Sequence, residues 1–386
     1  MRPSAALLFA LAAIAVPARA QVSSVVVTAL PVLEIPTVPE MGGATVGRTA
    51  GDARAFLQNP AALALAPAGQ AAAGTPDALW FGESRFGAAA ATWARRSGRL
   101  AVGVGIGQGS LSADTRTLAD GTPLDPTDRY RALGASVATT GAVRIALGAA
   151  VRYLTSTDAP VYDGMHFTVG RLRGVTADLG ALVTADVAAL AGRPRVGRLA
   201  PALDVSAGYA QTHLGGQVTY SGFAAQALPR TGALGWSARA GLDLAVGGRA
   251  LRLVEAEGAF QAERRLARRD GATTTFAPLT GGTSLADALA GSGDDATTGR
   301  RGFRLGLAET LTLAWGGFDG GGYRDVATRT VEVRAAGAFA LVAARLAPGP
   351  LADALRRTDL RAGRTTVFAG TPGAATRTTL SLVVGR

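Results

Sequence analysis

Long runs of period-two alternation constrain this chain more than any other feature. In GALGWSARAGLDLAV, residues 232–246, one face carries Leu234, Trp236, Ala238, Ala240, Leu242, Leu244 and Val246. The other carries Gly235, Ser237, Arg239, Gly241, Asp243 and Ala245. Successive side chains of a strand point to opposite faces, so this is one long, two-faced strand.

The same grammar recurs. Residues 143–153 set Val143, Ile145, Leu147, Ala149, Val151 and Tyr153 against Arg144, Gly148 and Arg152. Residues 175–187 set Val175, Ala177, Leu179, Ala181 and Val183 against Thr176, Asp178, Gly180 and Thr184. Residues 203–209 set Leu203, Val205, Ala207 and Tyr209 against Asp204, Ser206 and Gly208. A soluble strand is typically about 5–6 residues, whereas a tilted membrane-spanning strand needs about 9–11. Runs of that length, apolar on one side and small, polar or charged on the other, predict an all-β fold. The fold class is a closed antiparallel transmembrane β-barrel with lipid outside and a polar lumen inside. In lipid no backbone amide can go unpaired, so such a sheet has to close on itself.

Strands are predicted near 77–83, 85–96, 99–109, 131–140, 143–155, 174–187, 200–213, 231–246, 249–263, 303–315, 329–346 and 376–385. Others fit within 161–172, 217–224 or 363–370, which leaves 12 to 14 strands. Connectors tend to alternate between tight turns at Ser97-Gly98, 140–142 and Gly247-Gly248 and long loops at 110–130, 156–173, 214–230 and 264–302. That phase puts the N-terminus on the periplasmic side. Charges predicted on the lumen face are Arg144, Arg152, Asp178, Asp204, Arg239, Asp243, Glu255 and Glu257. They are expected to pair across the barrel or to line a polar channel.

Glycine, 52 of 386 residues, is about twice its ordinary share and follows no triplet period. With 48% apolar residues, that suits twisted strands and excludes a disordered chain. The net charge of +11 comes entirely from arginine among the basic residues. These arginines are spread along the chain, which argues against a nucleic-acid partner. The tight cluster is Arg264, Arg265, Arg268 and Arg269, opening the longest predicted outer loop. Its guanidinium groups suit lipopolysaccharide phosphates. There is no cysteine, and the two histidines, His166 and His213, lie in or beside predicted outer loops. Neither a thiolate metal site nor a spaced nucleophile–base cluster exists, so no enzyme, no metal and no cofactor is expected.

MRPSAALLFALAAIAVPARA, residues 1–20, has a basic start, an apolar core and an Ala18-Arg19-Ala20 triplet. It reads as a signal peptide cleaved after Ala20, followed by an extended segment over 21–40. No later segment offers 18 uncharged apolar residues in succession, so helical spans are not expected.

Before the strands stands MGGATVGRTAGDARAFLQNPAALALA, residues 41–66. Asn59 is a favoured helix cap, and Pro60 suits the first turn of a helix, so a short helix is predicted over 60–66, stopped by Pro67. The segment resembles the N-terminal signature of PorV/PorQ-type outer-membrane proteins, within the FadL-like superfamily of long-chain fatty-acid transporters. The resemblance rests on Met41-Gly42-Gly43-Ala44, Asp52 and Asn59-Pro60-Ala61-Ala62-Leu63-Ala64, with LWFGESRFGAAAATWARR, 79–96, similar to the family's first hairpin. Ala62 stands where the family usually has glycine.

The resemblance implies a 14-stranded barrel over 77–386 and a hatch over 41–76, with Met41, Gly42, Gly43, Asp52, Asn59 and Pro60 as hatch or gate residues. It implies an outer membrane of a Gram-negative bacterium, with membrane lipid around the wall. It implies carriage of hydrophobic or amphipathic small molecules or, alternatively, a type IX secretion component holding exported proteins at the cell surface. LADALRR, 351–357, after Pro348-Gly349-Pro350, is expected to form a short amphipathic helix that caps the barrel mouth or meets a partner.

Overall fold

The structure is a computed structural model. It describes residues 38, 40–49, 52–78, 85–112, 115–117, 121, 123–162, 167–215, 217–220, 226–228, 230–246, 249–270, 273–276, 285–293, 297–320, 323–368 and 374–385. The signal peptide, most of the 21–40 segment and His166 lie outside these residues.

Fourteen strands form the wall. They are β1 (Gly69–Ala78), β2 (Arg85–Ser97), β3 (Leu100–Ser112), β4 (Thr127–Thr139), β5 (Val143–Tyr162), β6 (Phe167–Asp186) and β7 (Leu199–Leu214). They continue as β8 (Thr231–Val246), β9 (Arg249–Arg265), β10 (Thr297–Leu307), β11 (Leu311–Gly320), β12 (Tyr323–Arg334), β13 (Thr358–Phe368) and β14 (Ala374–Val384). Each pairs antiparallel with its chain neighbours, and β1 pairs with β14 from Gly69↔Val384 to Gly74↔Thr379, which closes the ring. Beyond the ring, Gln217–Tyr220 adds to the end of β6, and Ala267–Asp270 pairs with Thr273–Phe276.

Alternation decides which face looks out. On β3, Leu100, Val102, Val104 and Ile106 are exposed, Ile106 at 61%, while Ala101, Gly103 and Gly105 turn inward and are buried. Leu133, Val151, Val175, Val333 and Leu380 repeat this around the barrel. In water so large an apolar surface would drive aggregation. Facing lipid it carries no such penalty, and the closed sheet leaves no unpaired edge. The architecture is that of an outer-membrane β-barrel. No helix among the described residues is long and apolar enough to cross a membrane. Part of an aromatic girdle appears where Trp236 stacks on Phe260 at 4.9 Å, Phe260 meets Phe303 edge-on at 5.8 Å, and Phe303 lies against Trp315 at 6.3 Å.

Several strand limits differ from the sequence reading. The first strand begins at Gly69, inside the segment expected to be hatch, because GQAAAGTPDA alternates no large apolar side chains. The expected 303–315 strand is two strands joined by a turn at Ala308-Glu309, both with positive φ, 49° and 52°. No glycine, asparagine or proline marks that turn. Likewise 329–346 stops at Arg334 and becomes helix α1, Ala336–Arg345. The 351–357 helix forms as α2, Pro350–Arg357. The strand at Thr358–Phe368 accounts for the 363–370 candidate. Most of the expected 156–173 loop continues β5 and β6 outward as a hairpin.

Candidate functional site: a lumen filled by the N-terminal segment

The N-terminal segment crosses the lumen in three short 3-10 turns. Glu40–Gly43 packs on β10, β11 and β12, Ala53–Leu57 on β1, β2 and β3, and Pro60–Leu65 on β2 to β6.

Local chemistry makes each turn. Asp52 caps the second: its carboxylate accepts the Arg54 backbone N–H at 2.8 Å and pairs with the Arg54 guanidinium. Asn59 caps the third. Its Oδ1 accepts the Ala61 N–H at 3.1 Å, and its Nδ2 donates to the Val46 carbonyl at 2.7 Å. Pro60 fills the first position, where its missing N–H costs nothing. Gly43 takes a positive φ of 77°, and Met41, at 55°, is buried against Ala44, Ala259 and Ala314.

The wall is shaped to receive this backbone. Gly103, Ser136, Gly148 and Gly180 are register partners in one inward row across β3 to β6. A Cβ on Gly103 would collide with the Leu63 carbonyl, one on Gly148 with Pro60, and one on Gly180 with the Asn59 side chain. Ser136 Oγ accepts the Ala64 N–H at 2.6 Å. On the opposite wall Gly302 would collide with Met41, and Gly208 with the Val46 carbonyl. Part of the glycine excess is therefore a track for a second layer of chain inside the sheet.

Polar groups of the wall hold the segment along its length. Gln261 Oε1 accepts from Thr45 N at 3.0 Å and Val46 N at 3.1 Å. Ser206 and Ser237 hydroxyls both donate to the Gly47 carbonyl. Arg48 makes a two-pronged pair with Glu257 at 2.8 and 3.1 Å. From Glu257 a chain of charges runs through Arg304, at 3.0 Å, to Glu255, Arg252 and Asp243, with Arg239 bound to Asp204 at 2.9 Å. A second buried pair, Arg152–Asp178 at 2.6 Å, touches the segment because Arg152 donates to the Leu57 carbonyl.

Burial presses the Glu40 carboxyl up to about 7, helped by the Asp52 and Glu332 carboxylates. Burial also acts to raise Asp52, but the charge and hydrogen bonds of Arg54 outweigh it and hold Asp52 below the usual range.

The expected lumen residues thus fall into separate groups. Arg152 and Asp178 sit at the segment, and Glu257 anchors it through Arg48. Glu255, Asp243 and Arg239 extend that network. Arg144 lines a polar cavity of about 530 Å³ nearer the short-turn end, together with Arg96, Arg239, Arg304, Arg334 and Arg361. Arg264 and Arg265 end β9, and Arg268 and Arg269 stand on the small ribbon beyond it, past the end of the wall. Sequence reading passed over Arg48, Arg54, Gln261 and Ser136. Ser206 and Ser237 were already on the lumen side by alternation, but nothing local marks a serine that meets a carbonyl some 160 residues away.

The lumen is also less uniformly polar than alternation predicted. Toward the long-loop end, inward positions on β2 to β6 are Phe86, Leu111, Tyr130, Leu154 and Leu172, all buried. They form one cluster with Phe56, Leu57 and Leu63 of the segment. Among the described residues no group of histidine and carboxylate side chains is placed to hold a metal.

No family model matches the chain. No curated protein matches it. Solved structures similar to it include the CymD monoaromatic hydrocarbon channel, at 11% identity over 91% of this chain and 97% of that one, TM-score 0.36. A TodX deltaS2S3 mutant monoaromatic hydrocarbon channel has 12% identity over 90% and 97%, TM-score 0.42. A Pseudomonas aeruginosa FadL homologue has 10% identity over 91% and 99%, TM-score 0.39. Autotransporter translocator domains are also among the similar structures. These neighbours are channels and outer-membrane barrels of differing cargo, so function has to be argued from this lumen.

Proposed function

We propose that the barrel is a gated conduit for hydrophobic or amphipathic small molecules across the outer membrane of a Gram-negative bacterium, with residues 41–68 as its gate. One observation carries this reading. On the β2 to β6 side the long-loop half of the lumen is packed with Phe86, Leu111, Leu154 and Leu172, which meet Phe56 and Leu63 of the segment, and beyond the segment lies the arginine-lined cavity of about 530 Å³. In this reading an apolar solute parts apolar side chains, passes the plug and reaches a wet vestibule. Such a path excludes ions and sugars by desolvation, whereas an ordinary porin channel is polar throughout.

In this reading the mature chain begins after Ala20, and the Arg48–Glu257 and Arg152–Asp178 pairs hold the closed state. No catalytic role is proposed. The secretion-component reading that comes with the PorV/PorQ resemblance gains no observation from the lumen, and the conduit is preferred.

The test is a reversible lock. The chain has no cysteine, and Thr45 N lies 3.0 Å from Gln261 Oε1. A double variant, Thr45→Cys with Gln261→Cys, ties residues 40–49 to β9. Proteoliposomes loaded with a hydrophobic fluorescent probe should exchange it through the native barrel, fail to do so through the oxidised variant, and recover on reduction. Equal exchange in the oxidised and reduced states overturns the gate. No exchange through the native barrel overturns the conduit.

A further inference from the structure

Two Arg-x-Arg triplets remain outside the lumen. Arg129-Tyr130-Arg131 lies on β4 and Arg171-Leu172-Arg173 on β6, each at the long-loop end of its strand. In a strand such spacing puts both arginines of a triplet on one face, and Tyr130 and Leu172 turn into the lumen. All four arginines are exposed on the outer wall.

Register brings the triplets together. Arg129, Thr155 and Arg173 are partners in one row across β4, β5 and β6, and Arg131, Tyr153 and Val175 form the next row inward. Strand spacing puts the Arg129 and Arg173 backbones about 10 Å apart. Directly below them the outward residues turn apolar, with Leu133, Val151 and Val175 exposed at 64%, 52% and 59%. The arginines therefore mark the border where hydrocarbon gives way to headgroups. A charge there costs far less than one at mid-bilayer. The register partners of Arg129 and Arg131 are uncharged: Ser110 and Gln108 on β3, and Thr155 and Tyr153 on β5. The Asp125 carboxylate, in the loop before β4, is hydrogen-bonded to Thr115.

Arg131 is also one end of a trough on the outer wall. The cavity, about 1040 Å³, runs obliquely from Arg131 and Gln108 across β3, β2, β1, β14 and β13 to β12. Its floor is low because β1 and β2 present Ala71, Ala73, Ala89 and Ala91, between Ile106 on one side and Leu380 on the other. No residue of the N-terminal segment lines it, so it belongs to the lipid side.

We infer that the outer wall over β1 to β6 is a specific binding site for a phosphorylated lipid of the outer leaflet. Arg129, Arg131 and Arg173 hold its phosphates and the trough takes one of its acyl chains. Guanidinium forks match phosphate oxygens, and an alanine-floored trough lets a chain lie closer to the sheet than the neighbouring leucines permit. The site is several strands from Arg264 and Arg265, and it stands whether or not the lumen conducts.

The probes are bisphosphorylated lipid A and the same lipid with both phosphates removed, titrated against the full mature barrel in non-ionic detergent and read by native mass spectrometry. The native barrel should retain the phosphorylated form at least about tenfold more tightly. Arg129→Gln/Arg131→Gln/Arg173→Gln should abolish that preference. Arg129→Gln and Arg173→Gln alone should each weaken it a few-fold, and they serve in its place if the triple variant loses the SDS-resistant folded form. Ala73→Trp with Ala89→Trp, filling the trough, should weaken both lipids alike. Arg264→Gln/Arg265→Gln should change neither. Undiminished preference in the arginine variants, loss of preference in the loop variant, or a lipid-free dimer dispersed by Ala73→Trp would each overturn the assignment, the last in favour of a second copy of the chain on this face.

Discussion

The two halves of the lumen grip the same segment by different physics. Toward the long loops, Phe56, Leu57 and Leu63 are buried among Phe86, Leu111, Leu154 and Leu172. Toward the short turns, Arg48 is held by Glu257, itself tied to Arg304 and through it to Glu255. Apolar burial is non-directional and nearly indifferent to salt. A buried ion pair is directional, and losing one partner strands the other. The first half can accept a guest of any shape that is apolar enough. The second sets where the segment comes to rest.

The largest expected effect separates these halves. Glu257→Ala leaves Arg48 buried without its main partner, and seating of the segment should weaken by about 3–5 kcal/mol. Probe exchange should rise with it, and limited proteolysis within 44–52 should accelerate. Leu63→Ala should cost about 2–4 kcal/mol by opening a cavity. Conservative replacements sharpen the contrast: Leu63→Met should restore most of what Leu63→Ala loses, whereas Glu257→Gln should restore little because Arg48 still lacks its charge partner. If the two rescue alike, the division of labour is wrong.

Asn59→Ala should be smaller, about 1–2 kcal/mol, since it removes the cap and the bond to the Val46 carbonyl. Asn59→Ser should keep a cap and lose the bonds to the Val46 and Ala181 carbonyls, so it should fall between.

The smallest effect is a pH dependence. Glu40 holds its proton up to about pH 7 when seated, against 4.5 for an ordinary glutamate. A carboxyl raised in the seated state favours seating below about 4.5 and loses that contribution as pH climbs toward 7. Exchange should therefore rise a few-fold across this window and then level off. Asp52 runs the other way, but its loss of stabilisation falls below its ordinary value of 3.8. Glu40→Gln should flatten the rise measured between pH 4.5 and 7. A persistent rise would overturn the assignment to Glu40.

How much was legible follows from the range of each signal. Alternation is local, so the closed barrel, the lipid-facing residues and most strands could be read directly. Asn59-Pro60 could be read as a cap because capping spans two or three residues, whereas Asp52 entered only through the N-terminal signature and its cap emerged from the structure. The Ala308-Glu309 turn was hidden because its positive φ values carry no glycine. Helix α1 was hidden because FALVAAR satisfies a strand pattern as well as a helical one. The apolar half of the lumen was missed for another reason: Phe86, Leu111 and Leu172 lie near strand ends, where an inward apolar residue is indistinguishable from loop composition. The receiving row Gly103, Ser136, Gly148 and Gly180 depends on the register of four strands, which no single stretch encodes.

Only three residues, 66–68, join the last turn of the segment to β1, and the carbonyl of Ala68 already accepts the Ala94 N–H at 3.2 Å. Three residues reach about 10 Å at full extension. Pro60–Leu65 is therefore on a leash too short to leave the barrel unless β1 unzips from its neighbours. In the proposed gate, passage opens by swinging residues 40–49 away from β7 to β12 while Pro60–Leu65 stays on its glycine row. The proposed plug is then a door with its hinge at Pro67, and the bolts are on the side of Arg48.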